Sequence, residues 1–238
     1  MPNQWFRFKE FTVWQNKTAM KVGTDGVLLG AWANCAGAKS VLDVGTGTGL
    51  ISLMLVQRFP DISVLAIDID EDTIEQAQDN FDASPWKNRL SPKNISFQEL
   101  AVSHKHKFDH IVSNPPYFEN SLHAPDKKRN IARHNVNLSI DELINSASIL
   151  LNKNGKLSVI LPDNSIHGFL EKSKKKHLYC TRKLLLKPKK NKSVLRVLLE
   201  LSFNKVLVET DTLVIENEKR HDYTEAYKDL TKGFYIKF

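Results

Sequence analysis

Cysteine is scarce in this 238-residue chain, long apolar runs are missing, and none of its eight histidines stands in a metal-binding spacing such as His-Glu-x-x-His. The two cysteines, Cys35 and Cys180, lie far apart in no redox or ligand pattern, which excludes a disulfide scaffold and agrees with a reducing compartment. No stretch approaches the roughly 18 apolar residues that cross a bilayer, and the opening MPNQWFRFKEF lacks the basic-then-apolar order of a secretory signal. The expectation is a cytoplasmic protein without membrane or metal partners. Acidic residues are absent from one region. From Lys172 to Arg196 the chain carries Lys172, Lys174, Lys175, Lys176, Arg182, Lys183, Lys187, Lys189, Lys190, Lys192 and Arg196 with no Asp or Glu among them, more than the whole net charge of +7, which leaves the rest of the chain near neutral. Such a run is either a solvated face or a surface for a polyanion.

What is present is an ordinary 41% hydrophobic content, enough for one sizeable core. Apolar periodicity and turn signals alternate strand and helix: strands at Ser40–Val44, Ser63–Asp68, Ile95–Leu100, Phe108–Ser113 and Lys156–Leu161, helices at Leu50–Phe59, Glu71–Phe81 and Ser139–Leu151. That alternation predicts an α/β fold, a doubly wound and mostly parallel sheet covered by helices on both faces. After Pro162 a helix is expected to about Lys176. Two strands, Tyr179–Lys187 and Ser193–Phe203, are then joined by only Pro188–Lys192, which requires an antiparallel terminal hairpin. Phe11–Gln15 and Thr18–Val22 flank Asn16-Lys17 and predict an N-terminal hairpin within 6–22 that covers the binding site. The whole chain, 1–238, reads as one domain with a C-terminal extension over 205–238.

The first chemical motif is Asp43-Val44-Gly45-Thr46-Gly47-Thr48-Gly49, which follows a strand and opens a helix. Its glycines let the backbone turn sharply and approach a ligand closely. Alone, the loop serves equally as a tight turn or a dinucleotide site. The next strand ends in Asp68, where a carboxylate can accept both hydroxyls of a ribose, whereas Asp70 is placed to cap the following helix. Asp43, Gly45, Thr46, Gly47 and Gly49 together resemble the acid-plus-glycine loop of class I methyltransferases. The resemblance implies their Rossmann-like fold and S-adenosylmethionine as cofactor, its methionine ammonium over the glycines.

The second motif, Asn114-Pro115-Pro116-Tyr117, stands 65 residues after Gly49 at the end of the fourth predicted strand, on the edge where open α/β sheets bind ligands. An aromatic exocyclic amine is a poor nucleophile because its lone pair is delocalised into the ring. The Asn114 side-chain oxygen and the Pro115 carbonyl can accept its two hydrogens and favour a pyramidal nitrogen, aimed in advance at the developing positive charge. The consecutive prolines hold Asn114 extended, and Tyr117 offers a ring face to a base, worth ~1–3 kcal/mol per stacked base.

With both motifs placed, the chain resembles amino-group methyltransferases of the Asn-Pro-Pro-Tyr type, and more closely the bacterial family that makes N6-methyladenosine in valine tRNA at adenosine 37. Phe8-Lys9-Glu10-Phe11, the run Met20 to Trp32, Tyr223-Thr224 and Phe234-Tyr235 carry that likeness nearly end to end. It implies tRNA as partner, no obligate protein partner, and a segment at Lys21, Thr24 and Asp25 that borders the methionine end of the cofactor. Glu99 stands near, though slightly out of, the family register for the acid that holds the cofactor adenine. In the long polar connection 118–137, Lys127, Lys128, Arg129 and Arg133 can meet phosphates, as can Lys187, Lys189, Lys190 and Lys192 at the hairpin tip. Competing readings are protein-glutamine, ribosomal-RNA guanine-N2 and DNA adenine methylation, or an idle RNA-binding protein. About 40 residues precede the glycine loop, fewer than the larger helical region of the glutamine enzymes, and an intact tetrapeptide argues against idleness.

Overall fold

The computed structural model describes residues 3–18, 21–116 and 138–237. Ten strands and seven helices are seen among them: β1 (Trp5–Arg7), β2 (Thr12–Trp14), α1 (Thr24–Trp32), β3 (Ser40–Val44), α2 (Leu50–Arg58), β4 (Ser63–Asp68), α3 (Glu71–Asp82), β5 (Leu90–Asn94), α4 (Phe97–Ser103), β6 (Phe108–Ser113), α5 (Ile140–Leu150), β7 (Leu151–Pro162), α6 (Ile166–Lys175), β8 (Tyr179–Lys189), β9 (Arg196–Ser202), β10 (Glu209–Glu216) and α7 (Glu225–Thr231). Eight strands form one sheet in the order β10-β8-β9-β7-β6-β3-β4-β5. Only β9 runs against its neighbours, inserted between β7 and β8. The expected class I methyltransferase architecture is thus present, antiparallel hairpin included.

Strand periodicity divides the core in two. Along β3, Val41 joins the apolar cluster of α1, α2 and α3 on one face, and Leu42 joins that of α4, α5 and α6 on the other. Ile160 and Leu161 of β7 and Leu198 and Leu199 of β9 divide in the same way. Each such buried aliphatic side chain contributes about 1.5–3 kcal/mol, so both faces anchor the sheet whose carboxyl edge carries the site.

Two expectations need correction, and one region gains an element. The segment Ile95–Leu100 is not a strand: β5 ends at Asn94, and Ser96 starts α4. Ser96 Oγ accepts the Glu99 N–H at 3.2 Å while the Glu99 carboxylate accepts the Ser96 N–H at 3.1 Å, a reciprocal capping box that overrides the local β propensity. The N-terminal hairpin pairs Trp5 with Trp14, not Phe11–Gln15 with Thr18–Val22. Its turn is closed by the Phe8 N–H to the Phe11 carbonyl (2.8 Å), with the two rings stacked 4.8 Å apart. Lys17 is held elsewhere, its N–H on Gln76 Oε1 and its ammonium 2.9 Å from Asp79 of α3. Finally, the C-terminal extension contains β10, a parallel edge strand on β8 that the sequence pattern did not disclose, because among its residues only Leu213 is buried.

The chain's two ends meet. Lys9 donates its N–H to the Phe234 carbonyl at 2.8 Å and its ammonium to the Lys232 carbonyl at 2.6 Å, while Phe8, Tyr227 and Phe234 share one apolar cluster.

Gly49, which starts α2, has φ +80°, and a Cβ there would lie 2.3 Å from Cε1 of Phe81. Gly49→Ala is therefore expected to cost about 2–5 kcal/mol, left-handed strain and overpacking combined. Gly168 in α6 has open space around its Cβ position, and Gly168→Ala should stabilise by about 0.4–1 kcal/mol. Denaturant titration of the two variants should move the midpoint in opposite directions.

Candidate active site

The glycine loop is built on a buried carboxylate. Asp43 is 0% exposed at the end of β3; its Oδ2 accepts from Thr46 Oγ1 at 2.8 Å and Ser52 Oγ at 2.7 Å, while its Oδ1 is buried without a partner among the described residues. Burial raises its pKa to about 6, the two hydroxyls offsetting part of the effect. Gly45 and Gly47 have φ of +69° and +56°, and nothing lies within 4 Å of either Cβ position, so the loop backbone faces open space. The Gly45 and Thr46 N–H groups donate to the Ile67 carbonyl at 2.9 and 3.0 Å, tying the loop to β4.

Asp68 ends β4 one residue beyond that contact. Its Oδ2 accepts the Gly47 N–H at 3.1 Å and its Oδ1 the Asp70 N–H at 3.2 Å, so both oxygens are positioned by backbone and keep acceptor capacity. Burial raises its pKa. Asp70 caps α3 through the Thr73 N–H at 2.8 Å, the capping role expected of it. Asn94 Nδ2 donates to the Asp68 carbonyl at 3.1 Å, bringing the end of β5 to the same place. There Asn94, Ile95, Gln98, Glu99 and Val102 line an open cleft. Glu99 is one wall of it, on a helix, with its Oε2 engaged at the Ser96 cap, which holds its pKa below the usual carboxylate range.

Asn114 and Pro115 continue directly from β6, Asn114 half-buried and Pro115 buried, whereas Pro116 is exposed. Ser113 is registered with Val44, and its hydroxyl donates to the Val44 carbonyl at 2.9 Å. Asn114 is therefore the first residue past the strand on the neighbour of β3, with adjacent strands about 4.8 Å apart. Tyr117, Lys127, Lys128, Arg129 and Arg133, with the connection 118–137 and His134, lie outside the described residues.

The segment before α1 reaches the same edge. The Lys21 ammonium donates to the Gln15 carbonyl, and Gln15 Oε1 accepts the Val22 N–H at 2.8 Å. Thr24 is exposed at the start of α1. A Cβ on Gly26 would meet Leu50 Cδ2 at 3.2 Å, which sets the first turn of α1 against the residue after the loop. Asp25 forms a 3.1 Å ion pair with Arg196, which is registered with Pro162 at the carboxyl end of β7.

That ion pair begins to resolve the basic run. Arg182 lies 4.6 Å over the Trp32 ring and pairs with the buried Glu200 at 3.4 Å; Lys172 pairs with Asp141 at 2.6 Å, Lys174 with Glu171 at 2.9 Å, and Lys176 donates to Asn145 at 2.8 Å. Arg182 and Arg196 are thus built into the fold, whereas the lysine pairs are exposed and add little stability. Lys187, Lys189, Lys190 and Lys192 remain at the β8–β9 tip, where the Lys187 ammonium donates to the Lys190 carbonyl at 3.2 Å and Lys189 Nζ to the Glu218 carbonyl at 2.8 Å.

Two supporting residues escaped the sequence reading. Asn80 exchanges both hydrogen bonds with the Trp14 backbone (2.8 and 2.9 Å) and donates to the Thr48 carbonyl at 2.9 Å, joining the N-terminal hairpin to the glycine loop. Ser52 orients Asp43. The one available signal was a polar residue at a buried helix position, which is weak.

Comparison with known proteins agrees with this geometry. A family profile described as "Methyltransferase small domain" matches residues 22–177. The "tRNA1(Val) (adenine(37)-N6)-methyltransferase" of Bacteroides thetaiotaomicron is 44% identical over 99% of both chains, and the protein of the same name in Phocaeicola vulgatus 46% identical, again over 99% of both. The chain belongs to the bacterial family of valine-tRNA adenine-N6 methyltransferases. Among solved structures, a predicted O-methyltransferase of Agrobacterium tumefaciens superposes with a TM-score of 0.70 at 17% identity, covering 88% of this chain and 96% of the other, a likeness of fold. Among the described residues no helix is long and apolar enough to cross a membrane, and no group of three or more His, Cys, Asp or Glu could hold a metal.

The family's cofactor, S-adenosylmethionine, fits the residues present: an orphaned buried carboxylate oxygen for an ammonium, an open glycine cradle, and a half-buried acid with two oriented oxygens for a ribose. A native pKa raised above that of the unfolded chain means that Asp43 favours folding when protonated, so its contribution is lost as pH rises. Without cofactor this loss should amount to about 2 kcal/mol between pH 4 and pH 6, and about 3 kcal/mol in full above pH 7. The comparison to make is wild type against Asp43→Asn by denaturant unfolding across that range. The wild type should lose stability relative to the variant as pH rises, and a constant difference would contradict the assignment.

Proposed function

We propose that this chain transfers the methyl group of S-adenosylmethionine to N6 of an adenine in tRNA, adenosine 37 of valine tRNA, in the cytoplasm. The observation that carries the reading is the position of Asn114 and Pro115, one residue beyond β6 and next to the glycine loop on β3. Full-length relatives bearing that activity in their names support it.

In this reading Asp68 accepts the ribose hydroxyls, Gly45, Thr46, Gly47 and Gly49 admit the cofactor against the backbone, and Asp43 Oδ1 faces its ammonium. Lys21, Thr24 and Asp25 border the methionine end, and the cleft beside Asp68, with Glu99 in its wall, takes the adenine. Bound there, S-adenosylmethionine supplies an electrophilic methyl group on a sulfonium. The Asn114 side-chain oxygen and the Pro115 carbonyl accept the two N6–H groups, which draws the nitrogen lone pair out of conjugation toward that methyl group. The methylated nitrogen is strongly acidic while cationic and releases one proton to water, so the chain needs no general base. Pro115 and Pro116 set the acceptor geometry before substrate arrives. Tyr117 stacks on the base, which must be unstacked from its own loop to enter. Lys187, Lys189, Lys190 and Lys192, together with Lys127, Lys128, Arg129 and Arg133, contact phosphates.

The test is transfer of labelled methyl groups to valine tRNA, with N6-methyladenosine identified by mass spectrometry. A tRNA with guanosine in place of the target adenosine should accept none. Asn114→Ala should lower turnover by 100-fold or more while cofactor affinity stays within about twofold, since removing one preorganised acceptor costs ~2.7–4 kcal/mol of transition-state stabilisation. Asp68→Ala should do the reverse at the binding step, weakening cofactor affinity at least tenfold as two hydrogen bonds to an ionised group are lost. Near-normal turnover by Asn114→Ala would exclude the mechanism.

A further inference from the structure

The charge along the carboxyl edge of the sheet is polarised. At the β4–β5 end α3 begins with Glu71 and Asp72, while Glu75 and Asp79 further along it are paired with Lys17. At the other end stand the β8–β9 tip and, beside it, the turn 217–222 that leaves β10. Because β10 runs parallel to β8, and β8 parallel to β7, this turn opens on the same edge as Asn114. It lies four strands from β6, about 19 Å away.

The turn is tied at both ends and carries Glu218 and Asp222 on either side of Lys219, Arg220 and His221, so its net positive surroundings come from the neighbouring β8–β9 tip. It is closed by a bridge between Glu216 and Tyr223 and by the Asn217 N–H to the Asp222 carbonyl at 2.7 Å, and fastened to the tip by the 2.8 Å bond from Lys189 Nζ to the Glu218 carbonyl. Tyr223 stacks on the buried Tyr227 with ring centroids 4.9 Å apart, which roots the turn in the core. At its apex Lys219, Arg220 and His221 are consecutive and exposed. His221 has φ +64°, a conformation glycine reaches without strain, yet the residue buries nothing in return. Its N–H is held by Glu216 Oε1 at 2.8 Å, and its ring nitrogen Nδ1 lies 3.4 Å from the Tyr223 hydroxyl.

A strained, exposed ring next to two cations, rooted in the core and placed on the edge that carries the catalytic asparagine, has the composition of a single-strand RNA contact: cations for phosphates and a flat face for a base. We infer that the turn Asn217–Tyr223 is a second RNA-binding element, in which Lys219 and Arg220 neutralise phosphates and the His221 ring stacks on an unpaired nucleotide flanking the one being methylated. The inference rests on the tRNA reading above. It supplies what a one-base pocket lacks, a contact that selects the surrounding loop, on the end of the edge where the β8–β9 tip adds Lys187, Lys189, Lys190 and Lys192.

Steady-state methylation of valine tRNA and binding across a salt series test it with three variants. Lys219→Ala/Arg220→Ala should raise KM for tRNA about tenfold with kcat within twofold, and reduce the log–log salt slope by about 1.4–1.8, two phosphates' worth. His221→Gly should keep or raise the melting temperature, since glycine relieves the strain, yet raise KM for tRNA about fivefold. A charge-matched control, Lys105→Ala/Lys107→Ala in the segment leading into β6 at the opposite edge, should change neither KM nor the slope. Wild-type methylation of tRNA with KM unmoved in the first two variants, or with the control weakening binding equally, overturns the inference and leaves the proposed function standing. No methylation of tRNA by the wild type removes both.

Discussion

A carboxylate with only one of its two oxygens satisfied lies beneath the cofactor loop. Two hydroxyls, from Thr46 within the loop and Ser52 in the helix after it, converge on Asp43 Oδ2 and so draw both ends of the turn onto β3. The remaining oxygen is out of contact with water, a state that is costly for a charged group and that a cationic ligand relieves. Gly45 and Gly47 keep the backbone open above it, and the Ile67 carbonyl, accepting two loop N–H groups, prevents the loop from collapsing onto its own carboxylate. Asp68 is oriented by an N–H of this same loop, so the acid ending β4 and the glycine loop are set by one hydrogen-bonded unit.

Support for that unit comes from far along the chain. Asn80 fastens the loop to the N-terminal hairpin, the hairpin is bonded to the chain end through Lys9, and α1 is clamped to the sheet edge by Asp25 and Arg196. Beneath α1 a buried polar strip adds rigidity: His110 Nε2 is 2.8 Å from Ser158 Oγ and its Nδ1 3.5 Å from Cys35 Sγ. Burial lowers the His110 pKa to about 3 and raises that of Cys35 to about 12, so both stay neutral and the strip is inert to physiological pH. Glu200, also buried, is charge-balanced by Lys156 and Arg182, the latter resting on Trp32. Removing one partner from such a group leaves a buried charge uncompensated, which makes this arrangement structural rather than available for substrate.

Much of this was legible in the amino-acid order. The strands Ser40–Val44, Ser63–Asp68 and Phe108–Ser113, the loop after the first and the asparagine after the last were readable as short, largely apolar runs ending in residues with special backbone or acceptor chemistry. Ser139 heading α5 and Asp70 heading α3 were readable for the same reason, because a cap acts within one turn of itself. Ser96 and Glu99 carried an equally local signal, the capping box, but Ile95 and Phe97 beside them share the β-branched and aromatic character of a strand, and the stronger cap decided the outcome.

What the sequence by itself determined is therefore what depends on neighbours along the chain: alternation, the glycine turn, the caps and the preset Asn114-Pro115-Pro116. Tertiary structure alone decided which members of the basic run face solvent. Arg182 meets a carboxylate 18 residues away and Arg196 one 171 residues away, and no local pattern records such a partner. The same holds for β10, recruited to β8 by backbone hydrogen bonds with a single buried side chain, and for the orphaned oxygen of Asp43, buried while both hydroxyls go to the other oxygen. Side-chain exposure and ion pairing are properties of packing between distant segments, and packing is settled only when the layers close.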